Sequence, residues 1–163
     1  MTVREVTLSN FQLKQLFETL NRKLNDDGEN AKFSWLVFKN CEILAKPYSD
    51  LMNELYDERR EPEFPAFYQA QQALVQKYAD RDEQNNIVID GNNAPVINEN
   101  IVEFNQANAA LLEQYSDLYE KIKKKDEINF EIYNRQCTFT LHCMELSEFP
   151  ARTIPFIVGL LGY

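Results

Sequence analysis

Apolar residues recur at steps of three and four along most of the chain. From Ser9 or Asn10, either of which can cap a helix, Leu13, Leu16, Phe17, Leu20 and Leu24 mark one face of an amphipathic helix. That helix is predicted to stop at the turn-rich Asn25-Asp26-Asp27-Gly28. A second stripe runs through Phe33, Val37, Cys41, Leu44, Tyr48, Leu51 and Leu55. Pro47 falls inside it, and since proline removes an amide donor and crowds the preceding turn, a kink or a boundary is expected near Lys46. After Pro62 and Pro65 a further helix is predicted over about 66 to 79, with Phe67, Ala70, Leu74 and Tyr78 on one face. Ile101, Phe104, Asn108, Leu111, Tyr115, Leu118 and Ile122 then follow a strict three-four alternation, the seam of a helix packed along another. Asn108 interrupts that seam. A polar residue there costs stability and can fix register, so Asn108 is expected as a register-setting polar core residue.

Period two replaces this pattern near the ends. Val3 to Leu8 alternates, with Arg4, Val6 and Leu8 on one face, as a short strand would. Ile128, Phe130 and Ile132 alternate with their polar neighbours, as do Phe139, Leu141 and Cys143 with Thr138, Thr140 and His142. Two strands joined by a turn at Asn134 and Arg135 would explain both runs. Between Asp80 and Asn100, Asp90-Gly91 separates two β-branched runs, which predicts a hairpin or irregular excursion over about 81 to 97. The C-terminal segment from Phe149 to Tyr163 reads as a short helix lidding the core, or as an apolar docking segment if exposed.

These elements predict an α+β fold, predominantly α, in one domain over 1–163. Helical regions of about 31 to 80 and 98 to 124 are expected to run antiparallel as a long arm. A small sheet from about 3–8, 127–134 and 137–143 would join the chain ends.

Composition narrows the functional classes. With 26 acidic and 17 basic side chains the formal charge is −9, which repels nucleic acid, so no direct nucleic-acid partner is expected. Lys121, Lys123, Lys124 and Lys125 form the one basic run and read as a cationic helix C-terminus before they read as a phosphate patch. No apolar stretch approaches the roughly 20 residues that span a bilayer, the N-terminus has no apolar signal region, and three cysteines form no paired motif. A reducing cytoplasm and no membrane partner are therefore expected.

Chemistry is sparse. His142 is the single histidine, and Cys137, His142 and Cys143 would point to opposite faces of a strand, which argues for buried thiols and a half-exposed imidazole over a metal site. The acidic run Glu54, Asp57, Glu58 and Glu61 is interleaved with Arg59 and Arg60 and reads as a solvated, partly self-paired face. No catalytic residue, cofactor or metal ligand is predicted, and the chain is not expected to be an enzyme. Aromatic residues are plentiful. Trp35 and Phe38 cannot both lie on the stripe of Phe33, Val37, Cys41 and Leu44, so that helix is either central or offers a second face to a partner. Trp35, Phe38, Phe64, Phe67 and Tyr68 are the candidate interface.

The order of LSNFQLKQLFETL, AKFSWLVFKNCEIL, KYADRDEQNNIVID, IVEFNQANAALLEQ, INFEIYN and SEFPARTIPFIVGLL resembles small helical proteins of unknown function encoded by tailed bacteriophages. The likeness covers most of the chain, and the proline-rich EPEFPAFYQ departs from it. It implies a phage or prophage origin and brings no catalytic residues. A virion component or assembly factor follows as the leading expectation, with phage structural proteins, a host protein or a second copy as partners and the host cytoplasm or the virion as location. An acidic inhibitor of a host nucleic-acid-binding or defence protein is the alternative.

Overall fold

The computed structural model describes residues 1–24 and 30–163, so the turn expected at Asn25-Asp26-Asp27-Gly28 lies outside the described residues. The fold is α+β and mainly helical, with seven α-helices and one two-stranded antiparallel sheet among the described residues. Contacts divide the chain into two compact units. One joins residues 1–56 to 127–163, and the other comprises 57–126.

In the first unit, strand β1 (Thr2–Ser9) pairs antiparallel with β2 (Gln136–Cys143), Arg4 opposite Leu141 and Val6 opposite Phe139. Val6, Leu8, Leu141 and Cys143 are buried, so the expected alternation holds and the odd residues of β2 face inward with the even residues of β1. Helix α1 (Asn10–Lys23) opens on a capping box, the Ser9 hydroxyl accepting from the Gln12 amide and the Gln12 side chain accepting from the Ser9 amide. It buries Leu13, Leu16 and Leu20. Helix α2 (Ala31–Glu54), capped by Asn30, packs on α1 and β2 and buries Phe33, Leu36, Val37, Cys41, Leu44 and Leu51. No boundary falls at Pro47. One missing amide bond is offset by the apolar contacts on either side of it, and α2 ends at Leu55 instead.

The segment 127–134 is helical, not a strand. Helix α6 (Lys125–Asn134) buries Ile132 and leaves Phe130 exposed, whereas a strand would have put both on one face. Ile128 and Ile132 are two residues from Phe130 but four from each other, a spacing that a helix satisfies equally well. The sheet therefore has two strands where three were expected.

Three asparagine side chains join the two stretches of this unit. Asn40, fully buried on α2, accepts from the His142 amide at 2.8 Å and donates to the His142 carbonyl at 3.0 Å. Asn129 on α6 treats Tyr56 in the same way, at 2.8 and 3.2 Å. Asn10, also buried, donates to the Ile132 carbonyl at 2.8 Å, while its amide N–H reaches the Arg135 carbonyl. The C-terminal segment belongs to this core. Helix α7 (Pro155–Leu161) buries Ile157 and Leu161, and the Arg4 guanidinium donates to the Gly159 and Leu160 carbonyls, two of the acceptors a helix end leaves unpaired.

The second unit is an antiparallel helical pair. Helix α3 (Phe64–Tyr78) starts on Pro65 and faces α4 (Ile101–Gln114) and α5 (Ser116–Lys123). Phe67 meets Tyr115 and Tyr78 meets Phe104, so eleven residues forward on α3 match eleven back on the facing chain. The antiparallel pairing lies within residues 57–126, whereas α2, which the expected arm of about 31 to 80 against 98 to 124 included, belongs to the other unit. Leu111, Leu118 and Phe67 are its buried centre. Asn108 is half-buried on α4 and outside that centre, and the buried polar positions among the described residues are Asn10 and Asn40.

Residues 82–97 contain two copies of an eight-residue pattern, Asp-x-x-Asn-x-x-Val-Ile, at Asp82–Ile89 and Asp90–Ile97. Their geometry repeats as well. Asp82 accepts from the amides of Gln84 and Asn86, Asp90 from those of Asn92 and Ala94, and Asn85 and Asn93 both adopt positive φ, a conformation asparagine tolerates. Val88 donates to Asp80, Val96 to Val88 and Asp80 to Val96, which closes a ring of three backbone hydrogen bonds.

Gly162 supplies a direct test of the C-terminal packing. A Cβ there would sit 2.5 Å from both Leu146 Cδ2 and the Val158 carbonyl oxygen, whereas one at Gly91 meets nothing within 4 Å. Gly162→Ala is expected to cost about 1–3 kcal/mol in chemical denaturation, as overpacking does, with Gly91→Ala close to neutral.

Candidate protein interface

Each unit carries part of the predicted aromatic set. On α2 the core positions leave Trp35 41% and Phe38 48% exposed, one turn apart on the opposite side of the helix. The Trp35 ring meets the His142 imidazole edge-on, centroids 4.9 Å apart. His142 lies on the outer face of β2, opposite Val3, which is 56% exposed. Asn40 holds the His142 backbone from the adjoining turn of α2, so a buried amide positions the strand residue on which the exposed indole rests. Lys39 lies over the Phe38 ring at 5.5 Å and pairs with Glu42.

Phe64, Phe67 and Tyr68 belong to the second unit and have three different environments. Phe67 is 3% exposed and is core, which corrects its assignment to an interface. It sits one turn from Phe64 on the face that meets Leu111 and Leu118. Phe64 is half-buried and stacks on Tyr68 at 5.9 Å, and Tyr68 is 50% exposed. With Tyr119, Ile122, Gln71 and Glu58 these rings line a cavity of about 230 Å³.

The acidic run is paired, within itself at Asp57 and Arg59 as the interleaving predicts, and at Glu54, Glu58 and Glu61 with cations distant in sequence. Glu54 meets Arg135, Asp57 pairs with Arg59 at 2.7 Å, Glu58 with Lys125 at 2.7 Å and Glu61 with Lys121 at 3.0 Å. Lys121 and Lys123 do occupy the last turn of α5. The Arg59 side chain, with its amide, holds the Asp57 carboxyl at about 2, below its ordinary 3.8, and the Lys125 ammonium lowers that of Glu58. Residues 57–126 hold fourteen acidic and eight basic side chains, so this unit carries −6 of the −9.

All three cysteines are free. Cys143 is buried, and burial pushes the thiol of Cys41 up to about 11, whereas Cys137 is exposed rather than buried and its thiol donates to the Asn10 side-chain oxygen. Among the described residues no group of three or more His, Cys, Asp or Glu is placed to hold a metal ion, and no helix is long and apolar enough to cross a membrane. Cavities beside α1 are lined by Glu18 with Phe17 and Tyr48, or by Glu18 with Phe11 and Phe156, and His142 lines neither.

No family model, curated protein or solved structure matches the chain.

Two outcomes check these environments. Phe67→Ala is expected to destabilise the chain by about 3–5 kcal/mol, and Tyr68→Ala by no more than about 1 kcal/mol, in thermal or urea denaturation. The Asp57 carboxyl, followed by carbon NMR, is expected to titrate near 2 and to move up toward 3.8 in Arg59→Ala. Its folded value is depressed, so whatever stability the pair contributes is present above 3.8 and is lost as pH falls through about 2.

Proposed function

We propose that this chain is a non-enzymatic protein-interaction module, serving as a virion component or assembly factor of a tailed bacteriophage. The exposed pair Trp35 and Phe38 carries the reading. Both stand on a helix whose other side is buried, and aromatic side chains on a fixed backbone are the groups that supply binding energy at protein interfaces. The phage assignment rests on the order of segments in the sequence. A second reading, an acidic inhibitor of a host nucleic-acid-binding or defence protein, draws on the −6 charge of residues 57–126 and on their run from Asp80 to Glu99, where five carboxylates accompany Arg81.

Affinity capture of the tagged chain from an infected host, at low and moderate salt, tests both. The interaction reading expects salt-resistant enrichment of virion proteins that drops at least about tenfold in Trp35→Ser/Phe38→Ser, the loss expected from truncating anchor residues. The variant's circular dichroism should be unchanged. Enrichment no greater than with the tag alone, or indifferent to both substitutions, would contradict it. Salt-labile enrichment of a host nuclease or polymerase would favour the inhibitor.

A further inference from the structure

At one end of the sheet Asn40 caps the outer edge of β2, whereas the outer edge of β1 has no such cap among the described residues. In an antiparallel pair, residues alternate between pairs that exchange backbone hydrogen bonds and pairs whose N–H and C=O point outward. Asn40 holds both backbone groups of His142, so His142 points away from β1. Val3 is its partner and must turn its own groups away from β2. Period two extends this to Glu5 and Thr7. Ser9, next in the series, agrees, since the Gln12 side chain takes its amide. Among the described residues no backbone hydrogen bond to Val3, Glu5 or Thr7 arises from outside the sheet, and all three residues are exposed.

Proline, a bulge and lysine, which blunt many edge strands, do not occur in β1; its charges are Glu5 on the exposed face and Arg4 on the inner one, where the guanidinium is held by α7. We propose that this edge accepts an extended segment of a partner protein as a third, antiparallel strand, with a lysine or arginine opposite Glu5. Charge selects that occupant. A second copy using all three outward residues would centre on Glu5 and set it against its own counterpart, a like-charge pair across the strands, on chains that each carry −9. A cation opposite Glu5 turns the same position from repulsive to attractive. Val3, exposed beside His142, fits an apolar side chain at one end of the added strand. Thr7, whose hydroxyl meets that of Thr138 at 3.0 Å, fits a small polar one at the other. The inference rests on the interaction reading and supplies the chemistry of the partner segment, with main-chain bonds giving affinity and the side chain opposite Glu5 giving selectivity.

The test is amide hydrogen exchange on the full chain, alone and with the synthetic peptide Thr-Thr-Thr-Thr-Lys-Thr-Val-Thr-Thr or the same peptide with Glu in place of Lys. In the chain alone, Val3, Glu5 and Thr7 should exchange fast while Arg4, Val6 and Leu8 exchange slowly. At ten times its Kd the lysine peptide should slow the three fast amides about tenfold. The glutamate peptide should not, and Glu5→Lys should reverse the preference. Equal protection by both peptides, protection by neither, or slow exchange at Val3, Glu5 and Thr7 in the chain alone would overturn the proposal. Failure here with enrichment of virion proteins retained would remove the edge and leave the interaction reading. Peptide binding with no enrichment would support the edge and remove the virion reading.

Discussion

The first unit depends on a buried amide doing the work of a neighbouring strand. A two-stranded sheet leaves polar backbone groups unpaired on both edges, and burying them without partners costs free energy. Asn40 presents an acceptor and a donor, spaced as a peptide group spaces them, to the amide and carbonyl of His142, 102 residues away. Asn129 repeats the device on Tyr56, and Asn10 anchors the Ile132 carbonyl. All three join stretches of chain that the second unit separates in sequence. Apolar contacts between α1, α2 and β2 bring those stretches together without direction, and the amides add the geometry that sets where each one stops.

That constraint reaches the surface. Because α2 is held against β2 from its inner side, Trp35 and Phe38 stand on its outer side, and Trp35 rests on the residue Asn40 has fixed. Asn40 caps β2 at His142, and the outer edge of β1 has no such cap among the described residues. The second unit is organised by charge as well as packing. Lys121 of α5 and Lys125 of α6 pair with Glu61 and Glu58, and Asp82 and Asp90 accept from backbone amides, which lowers both carboxyls.

Much of this was legible in the residue pattern, and the failures have identifiable physics. Strands over 3–8 and 137–143 followed from alternation, and α1 from its leucines and cap. The run at 127–134 reads as a strand because alternate residues include pairs four apart, and the helix shows in the opposite fates of Ile132, buried, and Phe130, exposed. Asn108 drew notice by interrupting a perfect seam. Asn40 interrupts nothing, since Cys41 beside it completes the stripe, yet it is the one fully enclosed. The amphipathic pattern of α3 places Phe67 on the inner face, where it is buried, and aromatic content by itself does not distinguish such a core ring from an interface one. The repeated Asp-x-x-Asn-x-x-Val-Ile is complete in the sequence, but the Asp90-Gly91 turn signal falls at the junction of its two copies and masks the period of eight.

Trp35 is the single tryptophan and reports the unit that Asn40 closes, so urea denaturation of Asn40→Leu followed by tryptophan fluorescence is the most direct test. Leucine keeps the volume and leaves the His142 amide and carbonyl without their partner. A loss of about 2–5 kcal/mol against the unsubstituted chain is the result predicted here. A midpoint and slope unchanged by the substitution would contradict the claim that this amide closes the fold.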